Sequence, residues 1–338
     1  ATMRSDNDWT VRIVSVGGDN TPRVLRRFGS DLVSACGSYV VFGLSLANEG
    51  IRNGDQRIFD QFRDNLRTLI DNSRAVGLQP VVVSNYPRSD YDAQDYQFIK
   101  DMNLLIHQWD VPSVNVLGAV DDGAGRWAAG FQDDLGHPNL AGHQEFFHAF
   151  VPSLFDALAA GKPQPVQQRD PQGIRMFIPD QRLSFEPEDT LHSFSLAFTA
   201  AVRKVGELAR FVTQDGRTAS LAVNTLGQLT YSSTAGEITH SADLGDALPH
   251  HILLTHNYAR GRTELFVDGK VADTGLAERV IATEFRVGVR PEGGQADFTV
   301  ANLTFWRSSL NPDEATVAAT GEALLQGSLE IYAPLAPE

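Results

Sequence analysis

Residues 39–86 decide the fold class of the N-terminal half: YVVFGLSL (39–46) and PVVVSNY (80–86) flank QRIFDQFRDNLRTLIDNSRAVG (56–77). The two outer segments are rich in β-branched and aromatic residues and have the length of strands. In the middle segment the apolar side chains recur at helical spacing on one face: Ile58, Phe59, Phe62, Leu66, Leu69 and Ile70. A strand, a helix and a second strand in this order predict two parallel strands joined by a crossover helix.

Two strand-like segments and a helix-like segment extend this pattern. VRIVSV (11–16) and VNVLG (114–118) have the composition of strands. FFHAFVPSLFDALAAG (146–161) is predicted to be an amphipathic helix with these apolar residues on one side: Phe146, Phe147, Phe150, Leu154 and Leu158. We therefore expect a parallel sheet with helices on both faces, in which ligands bind at the carboxyl ends of the strands.

The pattern changes after GKPQPVQQRDPQG (161–173), which has three prolines and no apolar periodicity. Short alternating runs separated by Gly, Asp and Asn follow: HSFSLAFTA (192–200), ASLAVNT (219–225), QLTYSS (228–233), HILLTHNY (251–258), TELFVDGKVADTG (263–275), FRVGVR (285–290) and FTVANLTFW (298–306). They predict an all-β sandwich, with a tight hairpin at VDGK (267–270). A late helix, NPDEATVAATGEALL (311–325), is predicted with Asn311 as cap and Pro312 in its first turn.

These patterns predict an α/β domain over residues 1–160, a linker over 161–173 and a β-sandwich over 174–338. The net charge of −14 is spread over both halves, and neither half shows a basic stripe, so we expect no nucleic-acid partner. The most apolar stretch without charge, residues 32–48, is too short and too rich in Gly and Ser to span a membrane. An acidic surface repels anions, which makes a neutral or uronic-acid-poor substrate the easier expectation. The single cysteine, Cys36, excludes an intrachain disulfide and a cysteine-based zinc site.

The stretch DDLGHPNLAGH (133–143) combines acids, histidines and a proline ahead of the predicted helix. A histidine that acts as general base needs one ring nitrogen free and the other held by an acceptor. Asp134, three residues before His137 in a loop with glycine, has the spacing to be that acceptor. The alternative is structural: Asp133 or Asp134 caps a turn and Asn139 caps the helix.

The motif D-x-x-H-P-N, followed by L-x-G-H and a final helix, resembles the last conserved block of the SGNH (GDSL-type) hydrolases. VRIVSVGGDNTPRVLRRFGSDL (11–32) and YVVFGLSLANEG (39–50) are similar to the second and third blocks, and the resemblance covers about residues 9–160. It implies a three-layer α/β/α, flavodoxin-like parallel sheet and a Ser–His–Asp triad. His137 would be the base, Asp134 its orienting partner, and Gly18 and Asn48 the oxyanion-hole donors. The third block departs from the family pattern, because four residues separate Gly43 from Asn48 and Glu49 follows.

The family's nucleophile is the serine of a Gly-Asp-Ser motif after the first strand, and no such motif occurs in the 338 residues. The interval between Gly18 and Gly43 fits the second and third blocks and is too short for the first and third. We therefore expect the first strand and its serine to lie upstream of Ala1, with this missing N-terminal segment packed on residues 9–50. His143 and His148, on the following helix, are interpreted as structural or solvent-facing.

The second half resembles laminin-G-like, concanavalin-like jelly rolls over about residues 174–335, on HHILLTHNYARGRTELFVDGKVADTG (250–275) and FTVANLTFWRSSLNPDEA (298–315). Such modules bind glycans or proteins, or pack on a catalytic neighbour. Together the two resemblances predict a serine esterase that hydrolyses acyl esters, acetyl esters among them, on a small molecule or polysaccharide, with no metal or organic cofactor. The alternative is a non-catalytic glycan-binding, adhesion or particle-structural protein with a degenerate hydrolase domain. The compartment stays open, with a secreted or surface location favoured.

Overall fold

The structure is a computed structural model, and it describes residues 9–52, 55–169, 171–178, 181–288 and 296–335. The N-terminal half contains three parallel strands within these residues, in the order β1 (Tyr39–Phe42), β2 (Gln79–Val83) and β3 (Ser113–Val114). Tyr39 pairs with Gln79 and Val82 with Ser113. The crossover between β1 and β2 contains the amphipathic helix predicted from residues 56–77, so parallel pairing is confirmed.

The helices are α1 (Thr21–Arg27), α2 (Leu46–Glu49), α3 (Gln56–Ala75), α4 (Ala93–Gln108), α5 (Leu117–Val120), α6 (Leu140–His148), α7 (Leu154–Ala159) and α8 (Pro312–Thr320), with a π-helical turn at Phe28–Val33. Alternate side chains of the strands pack on opposite sides of the sheet. Phe42 and Val82 belong to a core with α1, α3 and α4, whereas Val81 belongs to a second core with residues of α6 and α7. The N-terminal half is therefore a three-layer α/β/α domain.

Two predictions for this half are wrong. Residues 11–16 form no strand, and Val11, Ile13 and Val16 are exposed, because within the described residues no strand lies alongside them to accept and donate backbone hydrogen bonds. The helix predicted over 146–161 is broken into α6 and α7, since Pro152 cannot continue a helical hydrogen-bond ladder. Phe147, near the end of α6, lies exposed rather than on a buried face.

The C-terminal half is a sandwich of two antiparallel sheets. Its strands are β4 (Ile174–Met176), β5 (Leu183–Phe185), β6 (Phe194–Lys204), β7 (Gly206–Thr213), β8 (Thr218–Val223), β9 (Gln228–Ser233), β10 (Gly236–Asp243), β11 (Pro249–Asn257), β12 (Arg262–Val267), β13 (Lys270–Val271), β14 (Leu276–Ala277), β15 (Ala282–Val287), β16 (Asp297–Trp306) and β17 (Leu329–Ala333). One sheet has the order β10-β9-β8-β7-β15-β5. The other has the order β13-β12-β11-β6-β16-β17, with β14 on β12 and β4 on β16. A core of apolar side chains from both sheets, including Phe198, Tyr231 and Phe285, fills the space between them.

In the C-terminal half, the structure contains the predicted hairpin turn and the predicted helix cap. Asp268 and Gly269 both have positive φ in the turn between β12 and β13, as a tight hairpin requires. Asn311 caps α8 through Asp313 N and Glu314 N, and the helix ends at Thr320, five residues before the predicted end, with Gly321 as its C-cap. The end of the predicted strand 285–290 lies outside the described residues.

The two halves are joined by a polar junction. Asn115 Nδ2, after β3, donates to Glu314 Oε1 of α8 at 2.9 Å, and Asn257 Nδ2 donates to Gly118 O at 2.9 Å. Arg307, at the end of β16, donates to His148 O at 3.1 Å and pairs with Glu330 at 3.1 Å. The division at 161–173 remains a prediction, and these contacts show that the sandwich is packed against the α/β half.

Candidate active site

The acid–base loop lies between α5 and α6. His137 Nδ1 is 2.9 Å from both carboxylate oxygens of Asp134. Asp134 Oδ1 also accepts from the backbone N–H groups of Gly136 and His137, at 2.7 and 2.8 Å. The three-residue spacing folds the carboxylate back onto both its own turn and the ring. One carboxylate thus makes both the contacts that the turn-capping interpretation requires and those that the orienting interpretation requires.

The loop is anchored by its neighbours on each side. Trp127 Nε1 donates to Leu135 O at 3.3 Å, and Ser89 N donates to the same carbonyl at 2.8 Å. Asn139 caps α6 through Gly142 N and donates its amide to Gly130 O. The backbone around His137 is thus fixed by contacts that come from β2's outgoing loop and from the start of α6.

The hydrogen bond from His137 holds the pKa of the Asp134 carboxyl below its usual range, and the backbone donors of the turn add to this effect. Asp134 is accordingly an anion at neutral pH, which fixes the proton of a neutral imidazole on Nδ1. This leaves Nε2 as the basic nitrogen. Within the described residues Nε2 makes no hydrogen bond, and the His137 side chain is 71% exposed.

The two predicted oxyanion-hole residues lie beside each other. Gly18 follows the 11–16 segment with φ of +75°, a conformation that glycine adopts without strain. Asn48 is in α2, after β1, and its amide donates to Asp19 O at 3.3 Å. An amide nitrogen carries two hydrogens, so the second remains available to a ligand.

Glu49, the residue that departs from the family motif, holds this arrangement together. Its buried carboxylate accepts from Thr21 N at 2.9 Å, Thr21 Oγ1 at 2.6 Å and Gln61 Nε2 at 2.7 Å. These bonds tie α2 to the N-terminus of α1 and to α3. Glu49 therefore fixes the position of Asn48 relative to Gly18, a role that its sequence position did not reveal.

A cleft of about 1690 Å³ brings these groups together, since Gly18, Asn48 and His137 all line it. One wall is the segment 9–19 and the opposite wall is the segment 35–44, which includes β1. Asp134 stands behind His137 and orients it. The geometry of a base, its orienting acid and two N–H donors facing one cleft suits the stabilisation of a negatively charged oxygen.

Sequence reasoning missed three polar residues of this cleft. Arg88 lines it from the loop after β2, and Glu188 and Asp189 line it from the sandwich half. No local pattern marks these residues, because each reaches the cleft through contacts between distant parts of the chain. The hydrogen bond from Ser89 N to Leu135 O brings Arg88 to the loop that carries Asp134 and His137.

The remaining histidines of this region are separate from the cleft. His143 is exposed, and His148 stacks on His192 of the sandwich with ring centroids 4.0 Å apart. Burial and the neighbouring His192 lower the pKa of His148 to about 4. Among the residues that the structure describes, no group of three or more His, Cys, Asp or Glu side chains is placed to hold a metal ion, and no helix is long and apolar enough to cross a membrane.

The N-terminal part of the sequence is similar to a known protein family. Residues 2–145 match the model of the GDSL-like lipase/acylhydrolase family, so this part of the chain is similar to a GDSL-like acylhydrolase domain. No curated protein matches the chain.

Solved structures are similar to the C-terminal part. They include a pentraxin of Limulus polyphemus (14% identity, 49% of this chain and 94% of that chain, TM-score 0.36). The LG4-5 domains of the mouse laminin α1 chain share 14% identity over 43% of this chain and 46% of that chain, with a TM-score of 0.34. The binding domain of a paraclostridial mosquitocidal protein shares 14% identity over 46% of this chain and 45% of that chain, with a TM-score of 0.38. The chain thus spans less than half the length of the last two.

Proposed function

We propose that the N-terminal domain belongs to a serine esterase that hydrolyses acyl esters. The observation that carries this proposal is the Asp134–His137 pair, which faces a cleft also lined by Gly18 and Asn48. His137 Nε2 takes the proton of a serine hydroxyl as that oxygen attacks the ester carbonyl. Gly18 N–H and the Asn48 amide donate to the oxygen that becomes negative. His137 then returns the proton to the departing alcohol, and water releases the acyl group by the same route.

The serine is proposed to come from a strand upstream of Ala1 that fills the cleft between the 11–16 segment and β1. Two features support this source. The cleft runs along the free edge of β1, and Val41 of that strand is 44% exposed. The strand-like residues Val11 and Ile13 on the opposite wall also lack a strand partner within the described residues. A strand inserted there would satisfy the backbone groups of both walls.

We also propose that the ester group belongs to a polysaccharide or to another extended acylated molecule. Its support is the position of Glu188 and Asp189, which bring the sandwich half to the wall of the cleft. A ligand longer than one ester group would touch both halves of the chain. Glu188 is held there by Ser153 of the α/β half, through bonds of 2.5 Å to Oγ and 2.7 Å to the backbone N–H.

The test is hydrolysis of an aryl acetate by the native-length polypeptide, with His137→Ala compared against His143→Ala. Loss of the general base is expected to lower kcat by about 10²-fold or more. The His143→Ala control removes an exposed histidine of the next helix and should keep full activity. Because His137 is largely exposed, the melting temperature should stay nearly unchanged in both variants. Unchanged hydrolysis in His137→Ala would contradict the triad.

A second candidate is a binding protein that uses the same cleft without turnover. The observation that favours it is that His137 Nε2 makes no hydrogen bond to any hydroxyl group of the described residues. In that case the native-length protein binds acylated ligands in the cleft, and it hydrolyses none of them at a rate above that of its His137→Ala variant.

A further inference from the structure

We propose that Arg88 is the carboxylate-binding residue of the cleft, and that the substrate is an ester which also carries a carboxylate, as an O-acylated uronic-acid residue does. This substrate class rests on the esterase function proposed above and narrows it. It also reverses, for the cleft itself, the expectation of a neutral or uronic-acid-poor substrate that the overall charge of −14 suggests.

The position of Arg88 places its charge beside the catalytic loop. The guanidinium packs against Gly136, where a β-carbon would lie 2.2 Å from Nη1 and 2.7 Å from Cζ. Gly136 is the residue between Leu135 and His137, and Arg88 and His137 line the same cleft. A carboxylate on Arg88 would therefore sit next to an ester group presented to His137.

Three of the five N–H groups of the guanidinium make no hydrogen bond within the described residues. Nε and Nη2 donate to the two oxygens of Asp90, at 2.8 and 3.1 Å. A guanidinium has five N–H groups, so the edge formed by Nη1 and the second hydrogen of Nη2 remains. Within the described residues Nη1 makes no hydrogen bond. The Asp90 carboxylate holds the plane of the guanidinium in one orientation. The free edge of that plane can therefore bind a second carboxylate through two parallel hydrogen bonds.

The charge of Arg88 is not cancelled by Asp90. Arg52 Nη1 also lies 2.5 Å from Asp90 Oδ2, so two guanidinium groups share one carboxylate and the trio carries a net positive charge. The Arg88 side chain is mostly buried, which strengthens its interaction with a ligand relative to a fully exposed pair.

Arg12 also lines the cleft and donates to the backbone carbonyl of Ala35, whereas two other charged groups of the cleft are engaged with side chains. Arg27 donates to Asp19 at 2.8 Å and to Asp31 at 2.7 Å, and Glu188 accepts from Ser153. An acidic chain repels an anion at long range, so an anionic ligand needs a cation in direct contact to bind. Arg88 provides this cation at the point where the chemistry is proposed.

The test compares the binding of two acetylated oligosaccharides of equal length, one built of galacturonate and one of xylose. The protein is the native-length polypeptide with His137→Ala, because this variant should bind the ester without hydrolysing it. Calorimetry should give a dissociation constant at least about tenfold lower for the galacturonate ligand. A monoester of succinate, with its carboxylate on the acyl side, is the second anionic probe and shows on which side of the ester the carboxylate lies.

Arg88→Gln should abolish the preference for the anionic ligand and leave binding of the xylose ligand unchanged. Arg57→Gln is the matched control, because Arg57 forms a similar fork with Asp55 on an exposed surface and does not line the cleft. Equal affinity of the parent protein for all three ligands would overturn the assignment. So would an equal weakening of charged and neutral ligands by Arg88→Gln, which is the result expected if Arg88 only supports the Gly136 loop.

Failure of this inference and failure of the esterase function give different results. If the protein with His137 intact hydrolyses neutral and anionic esters with equal kcat/KM, Arg88 does not select the substrate and the esterase function stands. If it hydrolyses none of them but the His137→Ala protein shows the Arg88-dependent preference, the cleft is a carboxylate-binding site without catalysis.

Discussion

The two edges of the small parallel sheet are treated in opposite ways. At the β3 edge, Ser113 pairs with Gly327 of the C-terminal half, and Ser328 N donates to Ser113 O at 2.9 Å. At the β1 edge a cleft of about 1690 Å³ lies where a neighbouring strand would be, and Val41 faces it. The covered edge is where the chain gains stability. The proposed chemistry lies at the open one.

The covered edge also shows that the sandwich is a structural part of the α/β half. Glu314 of α8 is fully buried, accepting from Asn115 Nδ2 at 2.9 Å and from Asn311 N at 2.8 Å. Arg307 and Glu330 form a buried ion pair whose guanidinium also donates to His148 O at the end of α6. Because α6 begins three residues after His137, the sandwich fixes the helix that anchors the acid–base loop.

The largest expected effect on the free energy of unfolding is at the polar junction between the two halves. Arg307→Met should lower the free energy of unfolding by about 3–5 kcal/mol, because it leaves the Glu330 carboxylate buried without its partner. Urea denaturation measures the change. The control is Arg217→Met, which breaks an exposed pair with Asp215 and should cost less than about 1 kcal/mol. Similar costs for the two variants would show that the junction is not buried in solution.

Gly327→Ala tests the close approach at the β3 edge. A β-carbon at residue 327 would lie 2.4 Å from Nδ1 of the buried His107 ring, so we expect a loss of about 1–3 kcal/mol in unfolding free energy. Gly43→Ala, at the open edge, adds a methyl group that meets no atom within 4 Å. Its cost should be close to zero, and a larger cost than that of Gly327→Ala would mean that the edges have been assigned the wrong way round.

The pH dependence of stability should report the buried Glu314. Burial raises the pKa of this carboxyl to about 7, while in the unfolded chain it titrates near 4.5. Between these values the native state holds a proton that the unfolded state has lost. Stability therefore falls as pH rises, by at most about 1.4 kcal/mol per pH unit.

Glu314→Gln removes this contribution. The difference in unfolding free energy between the parent protein and this variant should therefore change with pH only between 4.5 and about 7. Other groups face the same site: Asp121, whose pKa is raised to about 6 by burial, and His107, whose pKa is lowered to about 3. They remain in both proteins, so the difference profile reports Glu314 together with its coupling to these two neighbours. A flat difference profile would show that Glu314 is ionised in the folded protein.

The smallest effect on stability is expected at the open edge. Val41→Lys and Ile13→Lys place charges on exposed apolar residues of the two cleft walls, so each should change the unfolding free energy by no more than about 0.5 kcal/mol. Both should reduce the self-association of the 338-residue chain in sedimentation velocity, since a charged edge resists pairing with another strand. Val271→Lys, on an equally exposed residue of the sandwich, should leave association unchanged.

The sequence predicted those features that depend on nearby residues. The α3 helix, the VDGK hairpin and the Asn311 cap each follow from a spacing of a few residues, and so does the contact between Asp134 and His137. Pro152 also carried a local signal, which the apolar periodicity of 146–161 concealed. The strand composition of 11–16 was misleading because a strand needs a partner, and composition does not supply one.

The rest depended on contacts between distant parts of the chain. Arg88 reaches the cleft only because the loop after β2 is bonded to Leu135, and Glu188 because Ser153 holds it. Glu314 looks in sequence like an ordinary residue of a helix's first turn, and its burial arises from Asn115, 199 residues away. Patterns within one segment contain no information on such pairs, so the wall of the cleft and the junction required the structure.

The central claim is that a hydroxyl group from a strand in the open cleft completes the site. The most direct measurement is labelling of the native-length polypeptide with a fluorophosphonate, followed by mass spectrometry of its peptides. We predict one labelled serine, upstream of Ala1 and after an apolar strand, and loss of labelling in His137→Ala. Absence of labelling, or a label on a serine within residues 1–338, would contradict the account.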